Sequence, residues 1–477
     1  MQRWRLSVIA IVGLSLLISP TSATFRKQTS TCSHFVDNSA SFDGNGSEAQ
    51  PWDNIAGHVD DLSPGDVMCI RGNPSSPGRV YNTETIDLDS ANGNTKNGTA
   101  DQPITIRSYP GEKVILRNDT DWSNPSCLIS AGVDYWIIEE LALDNNDRHT
   151  RTIVFNENGA HNTLRNNEIY NGRTNGVVIV RDSTDNLIEN NHIHDFLNPD
   201  LTKDAHCILV QVEADNTTIR QNTIHDCSGD GVQLIDGGSG SFADNVQIVE
   251  NTFYRGTIVR AENAISIKAA QNLRVIGNEM YGYVDYSTVV LQKASLDVLF
   301  ENNIIHGCSR GFDLHIQKEG HPERPTLRNN LIYGVTDYAV QFSGVGNGTF
   351  VHNTIVNAEE HAFRVVGVGL TGGLIQNNIF VNSGRAQLRR DVTLSGVTVG
   401  YNGWFGTDAD SVFTDPTDIV GSGDPGFVNA AGHDYHLIAD SPTCDVGTDV
   451  GVTTDFEDDR RPFGAGPDIG ADEYVPV

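Results

Sequence analysis

GVVIV, from Gly176 to Val180, and DGVQLI, from Asp230 to Ile235, are short apolar runs that read with a period of two, the spacing of strands and not of helices. Each follows an asparagine that opens the pattern Asn, any residue, apolar residue, turn. That pattern returns nine times between about Ala160 and about Arg385, anchored at Asn167, Asn191, Asn222, Asn251, Asn278, Asn303, Asn330, Asn353 and Asn377. The spacings are 24, 31, 29, 27, 25, 27, 23 and 24 residues. Repeats of roughly 20–50 residues signal stacked architectures. A coil of a few short strands can bury its apolar face only against its neighbours. The expected fold is therefore all-β, a right-handed parallel β-helix of about 10–12 coils. The recurring Asn is expected to form a row in which each side chain satisfies buried turn amides of adjacent coils.

The remaining stretches set the limits. Arg3 and Arg5 precede an apolar run from Leu6 to Ile18 and a small-residue site at Thr21-Ser22-Ala23, which reads as a secretory leader cleaved near Ala23. The expected divisions are a leader at 1–23, an N-terminal cap and first coils at 24–115, the β-helix at 116–400, and a capping segment at 401–477. In the cap, an amphipathic stretch from Trp52 to Leu62 can cover the open end of the coils. No later run is long enough to span a bilayer, so an exported monomer without membrane insertion is expected. The net charge of −30 and the lack of a basic stripe argue against nucleic acid. Seven cysteines without metal-type spacing leave at least one unpaired, and Cys32 with Cys69 is the pairing to check.

Period two also allows the coils to be registered by hand. One outward column reads Val178, Gln233, Ser266, Val290, Asp313, Gln341, Arg364; the next reads Val180, Ile235, Lys268, Gln292, His315, Ser343, Val366. The coil around Cys207 does not register clearly. Polar and charged residues in the middle of these columns mark a groove. Three longer intervals, Phe196–Ala205, Gly237–Asp244 and Arg255–Asn263, fall on consecutive coils as loops able to wall it. The candidate catalytic residues are Lys268, His315 and Asp313, and the candidate substrate contacts are Gln233, Ser266, Gln292, Arg310, Gln341 and Arg364. Asp230, Asp236, Glu262 and Asn263 are candidate metal ligands, with calcium the cation that oxygen donors favour. Elimination across a uronic acid needs a base for the C5 proton, a cation for the developing enolate, and a donor for the leaving oxygen. His192, His194, His225 and His306 recur at one repeat position and read as scaffold.

The stretches QPITIRSYPGEKVIL (Gln102–Leu116) and ENAISIKA (Glu262–Ala269) resemble segments of parallel β-helix polysaccharide lyases. The resemblance is to the chondroitinase B/alginate lyase family and to the family nine pectate lyases. It implies Lys268 as base, with Glu262 and Asn263 near calcium, and an acidic polysaccharide as substrate. The pattern departs where that family places an arginine one coil later: here the coil reads VVLQKAS, which leaves Gln292 or Lys293 in its place. The pectate lyase calcium cluster is reduced to Asp230 in SGDGVQ. Three other readings stay open. Glycoside hydrolysis would pair Asp313 with Asp230, Asp236 or Glu262, C5-epimerisation would share the proton abstraction, and a glycan-binding solenoid would have no chemistry.

Overall fold

Alternation puts Ile, Val, Leu and Phe on the inner side of every coil, and stacking those sides produces one continuous apolar core from Val36 to Phe413. The computed structural model describes residues 31–83, 85–89, 95–119, 127–157, 159–200, 203–235, 241–258, 260–317, 320–389 and 392–476. The expected leader and the candidate ligand Asp236 lie outside them. Cys32–Val477 forms one compact unit.

The strands assemble into three long sheets of 15, 12 and 14 strands, and each sheet takes one strand from each coil in turn. Every pairing within these sheets is parallel, so the molecule is a three-sided parallel β-helix. Among the described residues, no helix is long and apolar enough to cross a membrane. At the N-terminal end Trp52, Ile55, Val59 and Leu62 bury into the core beside the first strands.

The asparagine row exists, with one correction. The Oδ1 of Asn191 accepts the N–H of Asn167 at 3.0 Å, and Asn222, Asn251, Asn278, Asn303, Asn330 and Asn353 repeat this contact with the residue one coil earlier. The next member is Asn378, not Asn377, followed by Asn402, at separations of 25 and 24 residues. The reason is the turn itself. The residue before each ladder Asn, from Asn166 and Asn190 through His352 and Asn377 to Tyr401, is left-handed, with φ between 52° and 64°. In the pair Asn377-Asn378 the first therefore takes the turn, which Asn tolerates better than most residues. Its amide is used elsewhere, on Thr448 and His352.

Two disulfides are present, Cys32–Cys69 and Cys207–Cys227. Cys127, Cys308 and Cys444 are free. The third sheet gains its last two strands at Gly403–Phe405 and Ile419–Gly421, and residues beyond 421 leave the regular coils and pack on the third sheet. Phe427, Tyr435, Leu437 and Ile469 pack there against Leu331, Val356, Ile379 and Val381. The carboxylate of Asp455 accepts the N–H groups of Glu457, Asp459 and Glu473, and that of Asp468 accepts those of Asp445 and Tyr474. These tail carboxylates are thus turn anchors.

Candidate functional site

The outward face of the second sheet carries the expected columns. Val178 pairs with Leu209, Leu209 with Gln233, Gln233 with Ser266, Ser266 with Val290, Val290 with Asp313, Asp313 with Gln341, and Gln341 with Arg364. The coil that does not register from sequence thus contributes Leu209. In the adjacent column Gln292 pairs with His315 and His315 with Ser343. Lys268 follows Ile267, whose partner Leu291 precedes Gln292, so Lys268 heads the same column. Strand spacing of ~4.8 Å places Lys268, Gln292 and His315 along about 10 Å of one face.

Two networks occupy this face. The first surrounds Asp230, whose Oδ2 accepts Gln233 Nε2 at 2.7 Å and whose Oδ1 accepts the N–H of Asn263 at 3.2 Å. Burial, with the nearby Glu262 charge, pushes its carboxyl up to about 7, against the opposing pull of Gln233 and the Lys268 ammonium. His206 lies 3.4 Å from that carboxyl, but its Nδ1 already accepts the N–H of Asp230 at 2.9 Å. Burial holds the imidazole down at about 4. The contact is therefore not an ion pair at neutral pH. Glu262, raised by burial and by Asp204, is hydrogen-bonded to Arg260. The amide of Asn263 donates to the carbonyl of Ser287.

The second network is centred on Asp313. It accepts Gln341 Nε2 at 2.7 Å, Tyr338 Oη at 3.1 Å and Ser287 Oγ at 3.4 Å, and its Oδ1 lies 3.2 Å from Nδ1 of His315. Burial raises this carboxyl, but His315, Gln341 and Tyr338 outweigh it and hold the group below the usual carboxylate value. Nε2 of His315 lies 3.3 Å from the side-chain amide of Gln317. Arg364 bonds Gln341 at 2.7 Å and Asp337 at 3.2 Å and lies 4.0 Å over the Tyr338 ring. Arg310 holds the other oxygen of Asp337 at 2.8 Å. An ionised carboxylate beside an imidazole, with cations near it, is suited to proton transfer near an anionic substrate.

The candidates thus separate into distinct environments. Lys268, Gln292, His315, Gln341, Arg310 and Arg364 are all partly accessible around the groove. Gln233 and Ser266 are only 5% and 3% exposed, so they position other groups and do not meet a polymer directly. Lys293 lies past its strand's end, in a left-handed turn at φ 55°, and belongs to neither column. The described residues expected to hold calcium are engaged within the protein. Both oxygens of buried Asp230 accept protein hydrogen bonds, Glu262 is held by Arg260, and the neighbouring imidazole is a poor partner for a hard cation. Sequence reasoning missed His206, Ser287, Tyr338 and Asp337. Tyr338 opens its strand outside the columns, and His206 lies in the coil whose register was ambiguous.

With this geometry the chain can be placed. A family model described as "Right handed beta helix region" matches residues 91–253, 198–321 and 263–404, together 91–404 of 477 residues. The chain belongs to the right-handed beta helix family. A search of curated protein sequences finds no match. Among solved structures this β-helix is similar to pectate lyase Pel9A, with a TM-score of 0.51 and 15% identity over 93% of this chain and 96% of that one. It is also similar to the PL6 family polysaccharide lyase Pedsa3628 from Pseudopedobacter saltans, with a TM-score of 0.53 and 14% identity over 76% and 91%. PfbA, a surface adhesin of Streptococcus pneumoniae, gives a TM-score of 0.54 at 11% identity over 79% and 91%. At these identities the likeness concerns the fold, a scaffold that serves both enzymes and an adhesin.

Proposed function

We propose that the protein is an exported polysaccharide lyase that cleaves a uronic-acid-containing polymer by β-elimination in the groove on the second sheet. The observation that supports this reading best is the Asp313–His315 pair, built on Gln341, Tyr338 and Ser287, with His315 in the same column as Lys268. In this reading His315, oriented by Asp313, takes the C5 proton through Nε2. The Lys268 ammonium, with Arg364 and Arg310 beyond it, offsets the negative charge that develops on the uronate carboxylate and supplies a proton to the departing oxygen. The base role that the lyase resemblance implies for Lys268 is assigned in this reading to His315, whose Nδ1 lies 3.2 Å from the Asp313 carboxylate, while Asp230 and Glu262 lie near Lys268. No step is routed through calcium. The similar lyases support the reaction class, and two disulfides support an oxidising, extracellular setting.

The experiment is incubation with pectate, alginate and a dermatan-type polymer, with and without a chelator, following the ultraviolet absorbance of the unsaturated product. Activity is expected on at least one polymer. His315→Gln and Lys268→Ala are each expected to reduce it by a factor of about 10²–10⁴, the contribution typical of a positioned acid or base. Reducing sugar without that absorbance would establish hydrolysis instead, and loss of activity with chelator would restore calcium to the mechanism. Full activity in both variants would remove this groove from the chemistry.

A further inference from the structure

The third sheet carries an outward stack of rings unconnected with the groove, Tyr170, His194, His225, Tyr254, Tyr281, His306 and Tyr333, which His433 of the C-terminal segment extends, with centroids 4.4–5.5 Å apart. Most of it is a stacking ladder in which each ring covers the next. One step differs. His192 stands two residues before His194 on the same strand, and His194 pairs with His225 on the next, so three imidazoles meet there. Their ligand nitrogens all lie within 4.8 Å of one another.

The hydrogen bonds fix the tautomers. Nδ1 of His194 is 2.8 Å from Asp195, and Nδ1 of His225 is 2.9 Å from Asp226. A carboxylate accepts, so each Nδ1 carries a proton and Nε2 is the ring nitrogen left to bind a cation. Nε2 of His194 is buried and makes no hydrogen bond; its near neighbour is another acceptor, the Glu168 carboxylate, at 3.4 Å. Nε2 of His225 faces Nε2 of His192 at 2.8 Å. Acceptor thus faces acceptor at one end of the cluster, which a bound cation resolves.

We propose that His192, His194 and His225 bind one divalent transition-metal ion of the zinc class, with Glu168 as fourth ligand. Imidazole donors select zinc, nickel or copper over calcium. Carboxylates on the remote ring nitrogens are the usual outer support of metal-binding histidines. Tetrahedral zinc at ~2.05 Å per bond needs nitrogens about 3.3 Å apart, within side-chain adjustments of the order of an ångström. The site ties together strands on either side of the insertion after Phe196: His192 and His194 precede it, and His225 follows it. The Cys207–Cys227 bond spans the same coil. The ion is therefore assigned a stapling role, separate from the groove.

The test uses full-length protein purified on a histidine-free tag, stripped with chelator, and titrated with Co²⁺ and then Zn²⁺. One equivalent of Co²⁺ is expected to give visible absorption of a tetrahedral site, and Zn²⁺ is expected to displace it and raise the melting temperature by a few degrees. His225→Ala and His192→Ala should each lose the absorption, and Asp195→Asn should weaken binding 10–100-fold while leaving the spectrum in place. His306→Ala, which removes a ring from the same ladder outside the cluster, should bind as wild type; circular dichroism confirms that each variant keeps its strands. Absence of a saturable equivalent overturns the proposal, as does absorption that survives His225→Ala. Loss of the absorption in His436→Ala instead, at the separate group His436, Glu457 and Asp472, overturns it too.

Discussion

At the scale of single residues, Asp230 is where burial and charge oppose each other most directly. Desolvation and Glu262 raise its carboxyl to about 7 from 3.8, and the hydrogen bond from Gln233 only partly offsets them. A carboxyl that titrates higher in the folded state binds its proton more tightly there. Its contribution to stability is fully present below the unfolded value near 3.8 and is lost as pH rises through about 7. Asp230→Asn removes the charge and keeps the shape. The variant should gain on the wild type by on the order of 2 kcal/mol between pH 5 and pH 8, at about 1.4 kcal/mol per pKa unit. His206, which titrates in the opposite sense, is common to both proteins and cancels. Thermal melts of the pair across this range make the measurement. A stability difference that does not change with pH would mean that Asp230 is ionised and well solvated in the folded protein.

At the scale of the coil, the asparagine row sets the register that builds the groove. Asn278 accepts the N–H of Asn251 at 2.9 Å through Oδ1 and donates through Nδ2 to the carbonyl of Ile248, in the middle of a buried turn. Asn278→Ala leaves both backbone groups without partners, at about 1–3 kcal/mol for each. Asn377→Ala removes bonds to Thr448 and His352 and should instead loosen the C-terminal segment. Chemical denaturation of the two variants should show a lower midpoint for the coils only in Asn278→Ala; equal effects would mean that the row is not what holds the coils. The same elements show what the sequence makes legible. Period two and the Asn spacing suffice to align Gln233, Ser266, Val290, Asp313, Gln341 and Arg364, because stacked strands preserve register over any loop length between them. They fail at Asn377-Asn378, where two identical residues hide which one takes the left-handed turn. They also cannot show that Gln233 and Ser266 are buried, or that Gln233 is turned onto Asp230. The histidine cluster escapes for a related reason. A ring at every coil reads as scaffold, and only the tautomers imposed by Asp195 and Asp226, with His192 beside them, set two of those rings apart.

At the scale of the whole molecule, a solenoid's stability is a sum over neighbouring coils, so its last turns depend on what covers them. Here the cover is the C-terminal segment, and its pin is Arg461, only 2% exposed. The guanidinium donates to the carbonyls of Asp468 at 2.7 Å and Ala471 at 3.0 Å, lies 3.6 Å from Glu473, and reaches His352 on a ladder turn. Glu473 in turn accepts the N–H groups of Phe463 and Asp468. Arg461→Ala leaves a buried carboxylate and two carbonyls without their partner, a change of about 3–5 kcal/mol where one member of a buried pair is lost. Because contacts in a solenoid are local, that loss should fall on the segment and the coils under it, while the coils around Asp230 keep their stability. Limited proteolysis should then cut the variant within residues 441–476 and leave a resistant core, and melting should separate into two transitions. A single transition at the wild-type temperature would show that the apolar contacts of Phe427, Tyr435, Leu437 and Ile469 hold the segment without its arginine.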